Sequence, residues 1–335
     1  MALPPTVPST NWWRECPLPE MAAAPDKAPA SGAYSNLAEL IEQRYAASSI
    51  DLGQRKRALS LLSGPNKTNF RGRGIDFEEV RAYQPGDDIR TIDWRITART
   101  GEAHTKLFRE ERERQVLICV DQRNSMFFGS QHCCKSVLAA RLAALLAWSA
   151  LNRGDRLGGL VFSETRHEDI RPRRSRRAVL GLLSALAEMN QALPLDINEP
   201  ALSFADTLTE LRRIARPGSS LYIVSDFHGA LDEAATEQLD RLARHLEITA
   251  LHCSDPLERR LPDSGRYAVT DGQRRAQLFT GDRQLQSQFA SRFQQQLDSL
   301  QQALGRLGIP LIEASTDESP LAQLQAYYAG TGARR

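Results

Sequence analysis

The chain from residue 116 onward alternates between short apolar runs and longer amphipathic segments. Five runs have the length and the β-branched content of buried strands: VLICVD, RLGGLVFS, SLYIVSD, EITALHCS and IPLIEAS. The segments between them place apolar residues at helical spacing, as in RRAVLGLLSALAEM and LDEAATEQLDRLARH. Apolar strands that are separated by helices predict an α/β fold, with an open parallel sheet and helices on both of its faces.

The pattern divides the chain into three parts. Residues 1–33 are rich in Pro, Ala and Ser without periodicity, which predicts a disordered tail. Residues 34–115 combine a helix with short strands and turns, which predicts a small N-terminal subdomain. The apolar positions of that helix share one face: Leu37, Leu40, Ile41 and Tyr45. Residues 116–330 form the α/β domain, with a hairpin insertion predicted near 265–281.

Composition narrows the class of protein. With 41% hydrophobic and 25% charged residues, the chain has the balance of a soluble globular protein. The net charge of +2 predicts no general attraction to nucleic acid or acidic lipid. No run reaches the roughly 18 apolar residues of a membrane helix, and the N-terminus lacks the pattern of a secretory signal. The five cysteines show no CxxC spacing, so we expect a reduced, cytoplasmic protein without membrane insertion.

Acidic residues close three of the predicted strands. Asp121 ends VLICVD, Asp226 ends SLYIVSD, and Asp255 follows EITALHCS. Ligands of parallel α/β sheets bind at the carboxyl ends of the strands. Ser125 lies one turn beyond Asp121, and carboxylate and hydroxyl oxygens together suit Mg²⁺, which prefers hard oxygen ligands. A plainer interpretation stays open, in which these acids only cap turns and helices.

The first strand, its acid–x–x–x–Ser turn and the later Ser–Asp pair resemble the von Willebrand factor A fold and its metal-ion-dependent adhesion site. The first motif of that family is Asp-x-Ser-x-Ser, and later loops add a Thr and an Asp. Asp121 matches the first acid, Ser125 the second serine and Asp226 the late acid. Ser203 is the nearest equivalent of the Thr, and Arg123 stands where the family has its first serine.

Arg123 decides how this edge can be used. A guanidinium about 6 Å from a divalent ion, at an effective dielectric constant of about 20, costs about 5 kcal/mol of repulsion. A millimolar metal site provides only about 4 kcal/mol. If the side chain turns inward, its planar fork can pair with Asp121 and Asp226 and replace the cation. If it turns outward, weak binding is retained, so we expect no cofactor or weakly bound Mg²⁺.

A longer signature precedes the first apolar run. It comprises DFEEVRAY, PGDDIRTIDWRITART and a charged strand, with later matches at IVSDF, DPLERRLPDSG and LGIPLIEASTDESPLAQLQAYY. These motifs closely resemble the bacterial domain of unknown function 58 family over roughly residues 60–330. Members often accompany MoxR-type AAA+ ATPases, and the pair is suspected of chaperone-like assembly or maturation of other proteins. The resemblance implies two protein partners, such an ATPase and a client, and no nucleic acid.

Charges of both signs are dense in PGDDIRTIDWR, where Asp87, Asp88 and Asp93 alternate with Arg90. Trp94 is expected to anchor this segment by burying its ring. Exposed ion pairs contribute only about 0–1 kcal/mol each, so stability is a weak reason for so many. Two interpretations stay open: a structural clasp between the subdomain and the sheet, or a partner-binding surface that these residues share with Arg123.

Two further functions compete with a non-enzymatic adaptor, which is the favoured interpretation. One is a metal-assisted hydrolase that uses Asp121, Asp226 and His228. The other is a scaffold that binds an acidic partner through the arginines of RPRRSRR. Nucleotide hydrolysis by this chain is not expected, because GxxxxGKS/T is absent. The sequence also lacks the GxSxG and HExxH motifs of other hydrolases.

Overall fold

The protein is an alternating series of strands and helices. The computed structural model describes residues 32–52, 75–84, 89–110, 114–192, 202–229, 231–270 and 275–330. The helices are α1 (Leu37–Ala47), α2 (Trp94–Thr100), α3 (Lys135–Asn152), α4 (Arg176–Gln191), α5 (Phe204–Ile214), α6 (Glu233–Ala243), α7 (Pro256–Arg259), α8 (Arg283–Arg306) and α9 (Pro320–Gly330). The strands are β1 (Ile75–Ala82), β2 (His104–Glu110), β3 (Gln115–Asp121), β4 (Arg156–Phe162), β5 (His167–Arg173), β6 (Ser220–Ser225), β7 (Glu247–Ser254), β8 (Arg266–Thr270), β9 (Arg275–Phe279) and β10 (Leu311–Ser315).

The tail predicted over residues 1–33 lies outside the described residues except for its last two. One of these, Gly32, is buried, and its carbonyl accepts a hydrogen bond from the Cys134 N–H at 2.9 Å. Within the described ranges, no helix combines the length and the apolar character that crossing a bilayer requires.

Six strands form the central sheet in the order β10-β7-β6-β3-β4-β5. All neighbours are parallel except β4 and β5, which are antiparallel. After β3 the chain adds β4 and β5 on one side, and then returns to add β6, β7 and β10 on the other. The strand order therefore reverses between β3 and β6, and this reversal opens a crevice at their carboxyl ends.

Helices cover both faces of the sheet because successive side chains of a strand point to opposite faces. Val116, Ile118 and Val120 of β3 share a core with α1, α3, α4 and α9. Leu117 and Cys119 share the opposite core with α5, α6 and α8. Every residue of β3 is buried, which explains its uninterrupted apolar run. The predicted α/β class with helices on both faces is confirmed.

Helix α1 belongs to the main core. Leu40 and Ala47 are buried in the same cluster as α3, and the Trp148 indole N–H donates to the Leu40 carbonyl at 3.2 Å. The helix assigned by sequence to the segment 34–115 thus packs on the α/β domain. Tyr45, predicted on the buried face, is 68% exposed. That prediction is wrong, because five residues at 3.6 per turn place Tyr45 about 140° around the helix from Leu40.

Strand β5 makes the sheet mixed rather than wholly parallel, and its sequence pattern does not predict it. The strand pairs antiparallel with β4, with His167 opposite Phe162. Only Ile170 is buried along β5, so the segment shows neither an apolar run nor an alternation. The two strands approach closely at Gly158, where a Cβ atom would lie 2.6 Å from the Ile170 carbonyl oxygen.

Two small antiparallel sheets complete the structure. Strands β1 and β2 pair with a bulge between Phe77 and Glu79, and α2 packs beside β2. Strands β8 and β9 form a hairpin within the segment 265–281, where the sequence predicts an insertion.

Substitution of one buried residue of α1 tests whether this helix contributes to the main core. We expect Leu40→Ala to lower the free energy of unfolding by about 2–5 kcal/mol, because it leaves a cavity against α3. Tyr45→Ala on the same helix is the control and should change the unfolding free energy by less than about 0.5 kcal/mol. Chemical denaturation followed by circular dichroism measures both. Equal effects would show that α1 does not depend on this packing.

Candidate functional site

The acids that follow β3 and β6 meet at the crevice. Strand β3 ends at Asp121, and β6 ends at Ser225, one residue before Asp226. Asp121 is 0% exposed and Asp226 is 9% exposed. Beyond Asp226, Phe227 adopts a left-handed conformation with φ 53°, and its N–H donates to the Ser225 hydroxyl at 2.9 Å. Two carboxylates are therefore held in a water-poor position where strand order reverses.

Arg123 closes over Asp121. Its backbone N–H donates to Oδ1 at 2.9 Å, its Nε lies 3.1 Å from both carboxylate oxygens, and its Nη2 lies 2.8 Å from Oδ2. Nη2 also donates to the His228 carbonyl at 3.3 Å. The guanidinium carbon lies 5.6 Å from the centre of the Phe162 ring. With only 13% of its side chain exposed, Arg123 is turned inward, which is one of the two orientations that the sequence left open.

Burial and pairing act in opposite directions on this ion pair. Burial raises the pKa of Asp121 above its ordinary value, while the hydrogen bonds from Arg123 and Ser225 limit the rise. Burial alone would lower the pKa of Arg123, but the carboxylate of Asp121 holds it above its ordinary value. Ser225 Oγ donates to Asp121 Oδ2 at 2.7 Å. This hydroxyl was not among the predicted site residues, although the Ser–Asp pair that ends the β6 segment contained the signal.

Asp226 pairs with Lys135. The Lys135 ammonium lies 2.9 Å from Asp226 Oδ2 and 2.6 Å from Glu258 Oε1, with 3% of its side chain exposed. Burial would raise the pKa of Asp226, but the charge and hydrogen bond of Lys135, the His228 N–H and the charge of Arg123 together hold it below its ordinary value. The expectation that Arg123 pairs with both acids is therefore wrong for Asp226. Lys135 reaches that acid from the first position of α3.

The other two predicted ligands, Ser125 and Ser203, make no hydrogen bond to Asp121 or Asp226. Ser125 lies in the short 3-10 helix Asn124–Met126, and its buried hydroxyl has no hydrogen-bond partner among the described residues. Ser203 caps α5: its hydroxyl accepts from the Asp206 N–H at 3.0 Å and donates to Asp206 Oδ2 at 2.7 Å. Asp121 receives its hydroxyl hydrogen bond from Ser225, so neither predicted serine bonds to it.

These residues do not fit a divalent cation in the arrangement they adopt. Both oxygens of Asp121 accept hydrogen bonds from the guanidinium, and Asp226 Oδ2 accepts one from Lys135. Asp226 Oδ1 accepts from the His228 N–H at 3.0 Å. The Ser125 hydroxyl is the one predicted ligand among the described residues that is free to bind. A divalent ion would require Arg123 and Lys135 to leave, because two fixed positive charges repel a third.

A separate group of potential metal ligands lies on β5 and α5. His167, Asp169 and Glu210 offer ligand atoms within 4.8 Å of one another. One imidazole with two carboxylates suits Zn²⁺ and similar transition metals. His167 and Asp169 are exposed, however, and Glu210 already pairs with Arg213 at 2.7 Å. The group stands apart from the crevice and needs its own control in any metal titration.

The described part of the charged segment PGDDIRTIDWR lies at the protein surface. Asp93 caps α2 by accepting two backbone hydrogen bonds from the first turn of the helix. Trp94 begins α2 and is 67% exposed, and Arg90 in the preceding turn is also exposed. The expectation that the Trp94 ring is buried is wrong, because α2 is a seven-residue helix with no buried residue. Two further predicted members lie outside the described residues: Asp87 and Asp88.

A sequence model of a family described as a protein of unknown function, DUF58, matches residues 79–299 of the 335. The chain belongs to the DUF58 family. The matched range contains the whole charged network of the crevice: Asp121, Arg123, Lys135, Asp226 and Glu258. The network is thus part of the domain that defines the family.

Relatives of this DUF58 protein include Uncharacterized protein Mb1516 of Mycobacterium bovis and Uncharacterized protein Rv1480 of Mycobacterium tuberculosis. Each is 29% identical over 281 residues, which cover 84% of this chain and 87% of the relative. Among solved structures, BatB from Bacteroides thetaiotaomicron is 16% identical, with a TM-score of 0.42 over 66% of this chain and 100% of that chain. A von Willebrand factor type A protein from Catenulispora acidiphila is 11% identical, with a TM-score of 0.33 over 68% of this chain and 43% of that chain. The strand order and the two helical layers described above support the assignment of a von Willebrand A-like, Rossmann-like fold.

His252 of β7 gives the crevice a pH-dependent neighbour. His252 is 7% exposed, and its ring stacks on the Phe227 ring with 6.5 Å between the centroids. Burial lowers the pKa of His252 from 6.5 to about 4, although the charge of Asp226 opposes this. At a pH between these two pKa values, His252 is protonated in the unfolded chain and neutral in the folded chain.

We therefore expect this DUF58 protein to lose stability in mild acid. The stabilisation from neutral His252 is complete above the unfolded pKa and decreases as the pH falls, by about 3 kcal/mol once the folded pKa is passed. Urea denaturation across the interval between the two pKa values measures this slope. His252→Gln should flatten the slope in that interval. An unchanged slope in the variant would assign the acid sensitivity to other groups.

A second prediction concerns the Arg123–Asp121 pair. Arg123→Ala should lower the unfolding free energy by about 3–5 kcal/mol, because it leaves a buried carboxylate without its cation. Adding Asp121→Asn should recover part of the loss by removing that charge. Arg241→Ala, which breaks an exposed pair with Glu237, should cost less than about 1 kcal/mol. Similar losses for Arg123→Ala and Arg241→Ala in chemical denaturation would contradict the prediction.

Proposed function

We propose that this DUF58 protein is a non-enzymatic adaptor that binds another protein at the carboxyl edge of its sheet. On this proposal it works with a MoxR-type AAA+ ATPase, which supplies the energy for chaperone-like assembly or maturation of a client. The observation that supports the adaptor most directly is an exposed aromatic surface beside the charged crevice. We name it the edge patch, and its residues are Tyr34, Phe127 and Phe128.

The edge patch has the composition of a binding surface. Tyr34 is 40% exposed, Phe127 is 38% exposed and Phe128 is 41% exposed. The Tyr34 and Phe127 rings lie 5.4 Å apart between centroids. Both phenylalanines follow the turn that holds Arg123 and Ser125, so the patch and the crevice are neighbours along the chain. Exposed aromatic side chains that lie together favour protein contact, because aromatics dominate the energetic centres of interfaces.

Arg123 adds a charged group to this surface. Its Nε and Nη2 are directed to Asp121, whereas its Nη1 makes no hydrogen bond to the part of the chain that the structure describes. A partner carboxylate that reaches Nη1 would gain a charge-assisted hydrogen bond. The partner segment that fits best therefore carries an acidic residue next to apolar side chains.

The competing hydrolase has less support. It requires Asp121 and Asp226 to hold a metal, yet their oxygens accept hydrogen bonds from Arg123 and Lys135. His228 is exposed and lies two residues beyond Asp226. Metal-dependent phosphoester hydrolysis by the purified protein that is lost in Asp121→Ala would favour the hydrolase over the adaptor.

Binding to a purified MoxR-type ATPase from the same organism tests the proposal. We expect saturable binding in biolayer interferometry, weakened at least about 10-fold by the double change Phe127→Ala and Phe128→Ala, because truncated anchor residues cost more than about 1.4 kcal/mol. Arg123→Glu should also weaken binding. Tyr267→Ala is the matched control, since Tyr267 is 40% exposed on the β8–β9 hairpin.

Two results would contradict the adaptor proposal. One is the absence of binding to the ATPase in the presence of either ATP or ADP. The other is an equal loss of affinity in the Tyr267 control and in the Phe127/Phe128 variant. Circular dichroism of each variant separates a lost contact from a lost fold.

A further inference from the structure

The crevice contains a buried ammonium group that the pattern of strand ends does not reveal. Lys135 has 3% of its side chain exposed and contacts two carboxylates from different loops. Asp226 follows β6, and Glu258 lies in α7, just after β7. Lysine is rarely buried unless it is paired, so the position of Lys135 depends on these two acids.

The surroundings of the ammonium resemble those of a small metal ion. Its Nζ lies 2.9 Å from Asp226 Oδ2 and 2.6 Å from Glu258 Oε1. Two carboxylates with water are the ligand set by which proteins commonly hold Mg²⁺ or Mn²⁺. The same two acids hold the pKa of Lys135 above its ordinary value despite burial. The two contacts place the ammonium between these acids, in the position that a small cation would take.

The pairing of charges supports this interpretation, because each of the three crevice carboxylates contacts one of the two cations. The crevice places three carboxylates, from Asp121, Asp226 and Glu258, against two cationic side chains, Arg123 and Lys135. Each cation lies within 3.0 Å of at least one carboxylate oxygen. Asp226 is only 9% exposed, and its Oδ2 accepts its charged hydrogen bond from Lys135.

We propose that Lys135 is the resident cation of the crevice. Its ammonium links the loop after β6 to α7 and supplies the charge that a divalent ion would otherwise supply. Together with Arg123 on Asp121, it makes the carboxyl edge a docking site that needs no divalent metal. The docking role rests on the proposed function, whereas the role of Lys135 as the cation is tested by metal binding and unfolding without a partner.

Exchange of the ammonium for a divalent ion tests the inference. In metal-free buffer, Lys135→Met should unfold at a lower temperature than the wild type, because Asp226 and Glu258 lose their shared cation. Millimolar Mn²⁺ should restore much of the lost thermal stability with a saturable dose response. Lys135→Arg, which keeps the charge, should be less affected and should not respond to Mn²⁺. Adding Asp226→Asn to Lys135→Met should abolish the response to Mn²⁺.

Wild-type protein provides a measurement that does not depend on the folding of any Lys135 variant. Mn²⁺ binding to the full chain is followed by electron paramagnetic resonance. We expect Asp226→Asn to leave the number of saturable Mn²⁺ sites unchanged. The titration of the wild-type chain is repeated in a His167→Ala background, which identifies any signal from the separate ligand group on β5 and α5. A saturable wild-type site lost in Asp226→Asn would overturn the proposal. So would a folded Lys135→Met variant that is destabilised but does not respond to Mn²⁺ or Mg²⁺.

Discussion

The buried carboxylate of Asp121 imposes the main constraint on this structure. The side chain ends the central strand β3 with 0% exposure, at the point where strand order reverses. An isolated ionised carboxylate in such a position is strongly destabilising, so it must be protonated or paired. The protein pairs it with the guanidinium of Arg123 and the hydroxyl of Ser225. The conformations of the β3–α3 turn and of the loop after β6 both serve this pairing.

Pairing at Asp121 has a consequence for Asp226. Because Arg123 is directed to the first acid, the second acid takes its cation from α3, where Lys135 also contacts Glu258. Lys135 thereby connects the start of α3 to the loop after β6 and to α7 through two ion pairs. Ion pairs of this kind are weak evidence of added stability, but removing one partner is costly. The result is a fixed charged crevice, and the exposed aromatic rings of the edge patch lie beside it.

Some predictions failed where the burial or the partners of a residue do not follow from the sequence on either side of it. Strand β5 has one buried residue, Ile170. Its stability therefore comes from pairing with β4, which its pattern of apolar and polar residues does not predict. Trp94 was expected to be buried because of its size, yet it begins a short helix with no buried face. The Ser203 hydroxyl, assigned to the crevice by analogy, caps its own helix, and its role as a metal ligand stays a prediction. In each case local hydrogen bonding or strand pairing outweighed the preference of the side chain.

The sequence by itself determined the alternation of buried strands and helices, with the exception of β5, because continuous burial and helical periodicity follow directly from which positions are apolar. It also placed Arg123 two residues beyond Asp121, within reach of its carboxylate, but the structure decided that the guanidinium turns inward. Only the tertiary structure decided that Lys135 pairs with Asp226 and Glu258, which lie 91 and 123 residues away along the chain. Contacts over such separations depend on how the strands are ordered in the sheet, and no local spacing encodes that order.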